Sequence, residues 1–375
     1  MHLSDEQAAA IRKLLDALID QQRARIAIPP YENRSGFWFG GGNMLQEDDG
    51  TIWLAGRYRN VGDSRTGTDS GTRGLELAIF RSDDLGASFE KVASYSKTDL
   101  KVAGSDVVSI EGVSLSRLSD GSWELLISTE KAIAYPPPWQ QYQKPRTGVW
   151  TIDSMQGERP DRFDLTSLKP IINSLDHPET LHVKDPVSLL LPDKNQKSAK
   201  AAMIFCSHPF NWTSSNSGLA QRDADGGCRV VDWQIVPRGM TWDVAVTRIT
   251  ARMPIPQVGL FSNAPPASVY FYDGAECVRQ LEENVSARHR PRGYSCEEIG
   301  GAFFGWDHEF PNMKRLSLYE PLFVSPHGTG CSRYVDVLTT NSGGLLASWQ
   351  QSQSDLSQPL VLHQLRPEEI ELLFA

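Results

Sequence analysis

Three carboxylates stand at matching places in three segments of the chain: Glu111 in SIEGVSL, Asp185 in VKDPVSL and Asp243 in TWDVAVT. Each lies ahead of, or at the start of, an alternating apolar stretch, where turn polarity would ordinarily have ended. Cleavage of a glycosidic bond asks for such a set. One protonated carboxyl gives its proton to the leaving oxygen, and an ionised one activates water or attacks the carbon. A third acid nearby keeps the donor protonated by like-charge repulsion. Two further segments share the layout, GGGNMLQ with Asn43 and SRYVDVL with Arg333 and Tyr334. Gathered about one axis, these five segments form a candidate site with Glu111, Asp185 and Asp243 as its catalytic residues.

Neighbouring residues suggest what the site would bind. GRYRNVGDSRTG carries Arg57, Arg59, Asp63 and Arg65. Arginine offers planar paired donors suited to a carboxylate or sulfate, so these residues and Arg333 point to an anionic sugar; the same groups are equally suited to ion pairs with the channel acids. Glu130 in STEK, and His208 and Trp212 in CSHPFNW, follow strands at corresponding places and are expected to meet sugar hydroxyls and an apolar sugar face. Gly40-Gly41-Gly42 lacks the Lys-Ser/Thr of a phosphate loop, so close backbone packing near the axis explains it better. The eight histidines show no metal-ligand spacing. No cofactor is expected, with room left for a structural cation in the channel.

The elements that must position these residues are strands. Ser4 and Gln7 read as a capping box, followed by Ile11, Leu14, Leu15, Leu18 and Ile19 at helical spacing. From Gly36 on, short β-rich runs such as TIWLAGRYR, SWELLIS, AAMIFCS and SVYFY alternate with turn residues. Anchors at Thr51, Gly121, Lys200, Ser268 and Val335 are 70, 79, 68 and 67 residues apart. Each interval holds four strands and their connections, which is one propeller blade. The fold expected is all-β: residues 1–35 a helix and lead-in, residues 36–375 a single five-bladed β-propeller.

Composition narrows the partners. A formal net charge of -9 argues against a phosphate-binding face and hence against nucleic acid. No run approaches the roughly 20 apolar residues of a membrane helix. The N-terminus lacks the pattern of an export signal, and five widely spaced cysteines read as reduced thiols. A cytoplasmic protein acting on a small carbohydrate is expected, its oligomeric state open.

Ser82-Asp83-Asp84-Leu85-Gly86-Ala87-Ser88-Phe89 resembles the Asp-box of sialidases and other propellers, a structural turn between the third and fourth strands of a blade. The five-unit spacing, with the Lys184-Asp185-Pro186 and Ser109-Ile110-Glu111-Gly112 steps, resembles the five-bladed propeller glycosidases: the arabinanase/xylosidase, invertase/levansucrase and mannoside-phosphorylase groups. The resemblance implies an exo-acting glycoside hydrolase. It departs from those groups where blade one offers Asn43 for an Asp, and where Glu111 precedes both aspartates. The alternatives are a uronate-directed lyase on the same scaffold, with Tyr334 or His208 as base, and a non-catalytic carbohydrate-binding propeller.

Overall fold

The computed structural model describes residues 3–60, 74–102, 104–141, 147–180, 182–191, 200–208, 214–223, 227–276 and 298–375. Ser4 accepts the amide hydrogen of Gln7, whose side chain returns a bond to the Ser4 amide, so the capping box starts helix α1 (Asp5–Leu18) where the sequence predicts it. Its buried stripe of Ala10, Ile11, Leu14, Leu15 and Leu18 packs into an apolar cluster with Phe304, Trp306, Leu345 and Trp349, across the seam of two neighbouring sheets.

The rest is five antiparallel sheets, the five-bladed β-propeller expected. Strand β1 (Arg25–Ile28) is set aside for the end of the ring. Blade 1 has an inner strand in two pieces, β2 (Trp38–Gly40) and β3 (Met44–Gln46), both on β4 (Ile52–Arg59), then β5 (Glu76–Ser82) and β6 (Glu90–Ser96). Blade 2 runs outward through β7 (Val107–Arg117), β8 (Trp123–Lys131), β9 (Val149–Arg159) and β10 (Arg162–Asn173). Blade 3 is β11 (Val183–Leu191), β12 (Lys200–Ser207), β13 (Asn216–Arg222) and β14 (Cys228–Asp232); blade 4 is β15 (Val246–Pro254), β16 (Ala267–Ala275), β17 (Ile299–Trp306) and β18 (Lys314–Arg315). Blade 5 is β19 (Ser332–Thr339), β20 (Leu345–Gln351) and β21 (Leu360–Leu365), with β1 as its outermost strand.

Two sequence expectations shift. Residues 25–28 belong to the propeller rather than to a lead-in, because β1 pairs with β21 and ties the two ends of the chain into one sheet. The first four anchors lie at or just before second strands, whereas Val335 lies within the inner strand β19. Its true counterpart is Gly344 before β20, hidden because VDVLTT reads as the stronger strand.

Every inner strand carries one extra residue near the same end. Residues 41–43 oppose two residues of β4, 111–112 oppose Ser128, 185–186 oppose Phe205, Thr250 has no opposite number, and 334–335 oppose Trp349. Such bulges re-aim side chains and sharpen twist. At the first, a Cβ on Gly42 would sit 1.9 Å from the Ala55 carbonyl oxygen, so only glycine fits there. At or near the bulges, one polar side chain per seam ties neighbouring blades together, four of them from inner strands and Ser217 from β13, the third strand of blade 3. Asn43 exchanges two bonds with the Leu115 backbone, Ser114 accepts from Ser188 N, Ser217 accepts from Ile249 N, Thr250 donates to the Val335 carbonyl, and Asp336 accepts from Met44 N. The Asn43 amide thus closes a seam and does not present itself to a ligand, a correction that follows from its using both ends on Leu115.

The turn from Ser82 to Phe89 joins the third and fourth strands of blade 1. Asp84 accepts from the Ser88 amide at 2.9 Å and the Ser88 hydroxyl at 2.6 Å, which pulls its carboxyl down to about 2. Its role there is structural.

Candidate active site

In all five blades the start of the inner strand pairs with the end of the second: Trp38 with Arg59, Val107 with Lys131, Val183 with Ser207, Val246 with Ala275 and Ser332 with Gln351. One end of the ring therefore collects the bulges and the ends of the second strands.

Asp185 and Tyr334 sit in their bulges with φ of 52° and 53°, the left-handed region that side chains other than glycine rarely adopt. Each conformation costs on the order of 1–3 kcal/mol and persists only where surrounding bonds over-determine it. For Asp185 these are Ser128 Oγ on its amide at 3.1 Å, the Gly112 amide on Oδ1 at 2.9 Å and Arg248 Nη1 on Oδ2 at 3.0 Å. A Cβ on Gly112 would lie 2.4 Å from that Oδ1, so the glycine is required for the approach. Tyr334 is held by its own amide, which donates to Asp273 at 3.0 and 3.2 Å. Its hydroxyl lies 3.2 Å from Arg57 Nη2 and 3.5 Å from Asp185 Oδ2. Glu111 completes the group, taking a bond from Ser109 Oγ at 2.7 Å and facing Arg57 Nη2 at 3.4 Å.

Three members of this network were missed by sequence reasoning. Arg248 of β15 is buried and meets Asp185, Asp273 Oδ2 at 2.7 Å and Glu298 Oε1 at 3.0 Å, with its guanidinium 4.3 Å over the Tyr334 ring. Burial works against its charge, but Glu298, Tyr334, Asp185 and Asp273 outweigh it and hold Arg248 firmly protonated. Its two missed partners diverge. Burial pushes Asp273 up to about 7 despite Arg248, whereas for Glu298 burial is overcome by Arg248 and Arg333, and its carboxyl is held well below the usual range. Arg248 stands in TRITARM and Asp273 in YFYDGA, where alternation makes each look like a solvent-facing strand residue. Only the closed ring turns that face inward.

The other expected residues divide. Arg57 and Arg333 reach the site and are engaged there, Arg57 with Glu111 and Arg333 with Glu298 and Gln358. Arg57, Arg59 and Arg333 all stack on Trp38, at 4.6, 5.1 and 4.3 Å from the ring centroid. Glu130 is buried and accepts the Gly148 amide at 2.7 Å. His208 is buried with Nε2 3.4 Å from Cys206 Sγ, and burial drives its pKa well below the ordinary value, so the ring is neutral at pH 7. Asp63, Arg65 and Trp212 lie outside the described residues.

Asp243 is the clearest correction. It precedes β15 by three residues instead of standing in an inner strand, and its carboxyl meets Tyr272 and Arg315 rather than the axial group. Tyr272 donates to Oδ2 at 2.8 Å and Arg315 Nε lies 3.1 Å from it. The side chain is fully enclosed, and burial raises its pKa against the pull of Arg315. The alternation in TWDVAVT mimics an inner strand, yet the strand proper begins only at Val246.

At the bulges lies a cavity of about 20 Å³ lined by Gly41, Gly112, Asp185, Thr250 and Tyr334, among others, with room for roughly one water. Among the described residues, no three His, Cys, Asp or Glu side chains are grouped to hold a metal ion.

No protein-family model matches the chain, and no curated protein matches it. Solved structures do. A BT0996 RGII complex superposes with a TM-score of 0.63 at 11% identity, covering 98% of this chain and 96% of the other. A structure from the GH130 family of mannoside phosphorylases, with glycoside hydrolases that target β-1,2 mannosidic linkages in Candida mannan, gives 0.55 at 13% identity, covering 92% and 93%. The β-1,2-mannobiose phosphorylase from Listeria innocua, in complex with β-1,2-mannobiose, gives 0.51 at 11% identity, covering 92% and 96%. The chain thus has the fold of five-bladed propeller glycoside hydrolases and phosphorylases. At these identities the likeness is one of fold, and function rests on the site.

Proposed function

We propose that the protein is an exo-acting glycoside hydrolase that removes a terminal sugar from an oligosaccharide or small glycoside, with Glu111 as proton donor and Asp185 as the ionised carboxylate. The observation that carries this reading is the meeting of the two on adjacent blades, linked through Arg57 and Tyr334. Asp185 is fixed by a backbone amide and a guanidinium. Neighbours of the same fold described as glycoside hydrolases or as bound to an oligosaccharide support the substrate class.

Of the arginines at the site, Arg57 and Arg333 already face Glu111 and Glu298, which favours an uncharged sugar at those two positions. A panel of aryl glycosides, uronides included, with and without inorganic phosphate, tests the proposal. Release of the aryl alcohol without phosphate, lost in Glu111→Gln and Asp185→Asn, is the expected result. Strict dependence on phosphate would make the enzyme a phosphorylase, and an unsaturated product absorbing in the near ultraviolet would make it a lyase. Binding without turnover would leave only a carbohydrate-binding propeller.

A further inference from the structure

We infer that Tyr334 is the nucleophile of this site and Asp185 its base, so that the reaction passes through a glycosyl-tyrosine and retains anomeric configuration. The inference rests on the glycosidase reading and specifies its chemistry. An activated nucleophile is recognised by a base within reach and a third group that orients the base. Tyr334 Oη lies 3.5 Å from Asp185 Oδ2, and Asp185 is in turn fixed by the Gly112 amide at 2.9 Å and Arg248 at 3.0 Å. Catalytic bonds are often long before substrate binds.

Two more observations single out this tyrosine. Its left-handed backbone is an energetic cost that a merely packed aromatic would not carry, and the pair it forms with Asp185 joins the two strained residues of the inner bulges other than glycine. Cations surround the phenol: Arg57 Nη2 lies 3.2 Å from its oxygen, and the guanidinium carbons of Arg248, Arg57 and Arg333 lie 4.3, 5.3 and 5.5 Å from its ring centroid. They stabilise negative charge growing on Oη during attack. Burial holds the free phenol protonated at neutral pH, which is why it needs a base.

In the first step Oη bonds to the anomeric carbon while the bond to the leaving oxygen breaks. The phenolic proton passes to Asp185, and the Glu111 proton passes to the leaving oxygen. In the second step water attacks the same carbon and gives a proton to Glu111, while the carbon–Oη bond breaks and Oη recovers its proton from Asp185. Both residues return to their starting states, and two displacements give net retention.

The test uses the wild-type chain and the 2-deoxy-2-fluoroglycosyl fluoride of whichever sugar the aryl glycoside panel shows to be turned over. A covalent adduct in the intact mass, mapped to Tyr334, together with a product of retained configuration by NMR, is expected. Tyr334→Phe is expected to lose about 10³-fold or more of turnover. An adduct on Asp185, a product of inverted configuration, or full activity in Tyr334→Phe would overturn the tyrosine nucleophile and leave the glycosidase intact. No turnover of any glycoside would remove the glycosidase reading, and this one with it.

Discussion

Asp185 and Asp243 are both buried aspartates that meet an arginine and a tyrosine hydroxyl, yet their surroundings differ. Asp243 is enclosed beside Trp242 and Tyr272, which stack at 5.5 Å, and its partners Arg315 and Tyr272 belong to the same blade. Asp185 lines the axial cavity, and its partners come from blades 2, 4 and 5. The first arrangement fastens one sheet to its own edge. The second brings groups from most of the ring to one point, and holds them there at the expense of backbone strain. Burial and an ion pair are common to both; the number of blades that converge on the carboxylate is what differs.

The comparison is broken most directly by activity. Asp185→Asn is expected to lower turnover by about 10³–10⁴-fold with little loss of stability, because the amide keeps the shape but not the basicity. Asp243→Asn is expected to stay within a few-fold of wild type in turnover while its melting temperature falls. Equal losses of turnover on the aryl substrate would place Asp243 back among the catalytic groups.

Stability should rank the two arginines. Arg248→Met leaves Asp185, Asp273 and Glu298 facing one another without their shared cation, and is expected to cost about 3–5 kcal/mol in urea denaturation. Arg315→Met leaves one carboxyl that still accepts from Tyr272, and is expected to cost about 1–3 kcal/mol. A smaller loss at Arg248 than at Arg315 would mean that the axial network is not what holds the inner strands together.

A glycine pair sharpens the contrast further. An added Cβ would lie 2.4 Å from Asp185 Oδ1 at Gly112 and 1.5 Å from Asp243 Oδ1 at Gly239. Both substitutions must displace their aspartate. Gly112→Ala is expected to lose about 10²-fold in kcat, since a shift of this size at a reacting group has that effect, whereas Gly239→Ala should lose stability and keep kcat. Comparison of kcat with the urea midpoint for each variant checks both.

What the sequence disclosed follows the same division. Blade number, the capped helix, Glu111, Asp185, Tyr334 and Arg333 were legible because strand period, turn residues and polarity at the start of an inner strand are local signals. Asp243 misled for a local reason as well, a polar residue before an alternating run that begins three residues later than it looks. Arg248, Asp273 and Glu298 were not legible: an inward-facing charge in or beside a strand has the pattern of an outward-facing one until the ring closes. The pairing of β1 with β21 is hidden for a related reason, because it joins residues more than three hundred positions apart.

Asp336 supplies the remaining case, a buried aspartate with no ion pair among the described residues. It closes the seam between blades 5 and 1 by accepting the Met44 amide at 2.7 Å, a tie that Asn43, Ser114, Ser217 and Thr250 make with neutral groups at the other four seams. With no cation to offset burial, its carboxyl is pushed up to about 7 from an ordinary 3.8. Below about pH 4 it is protonated in both the folded and the unfolded chain and takes nothing from stability. Between there and pH 7 the unfolded chain gives up the proton while the folded one keeps it, so stability falls as pH rises, and above 7 the loss is constant. Asp336→Asn does not titrate and can still accept the Met44 amide. Its advantage over wild type is therefore expected to be absent near pH 4, to grow through pH 7 and then to level off. By pH 8 it should reach on the order of 1–2 kcal/mol, the buried NH₂ group offsetting part of the gain. Urea midpoints of the two proteins measured from pH 4 to 8 decide it. A difference that does not change with pH would show that Asp336 is ionised throughout and that the closing seam holds a full charge, as the axial site does.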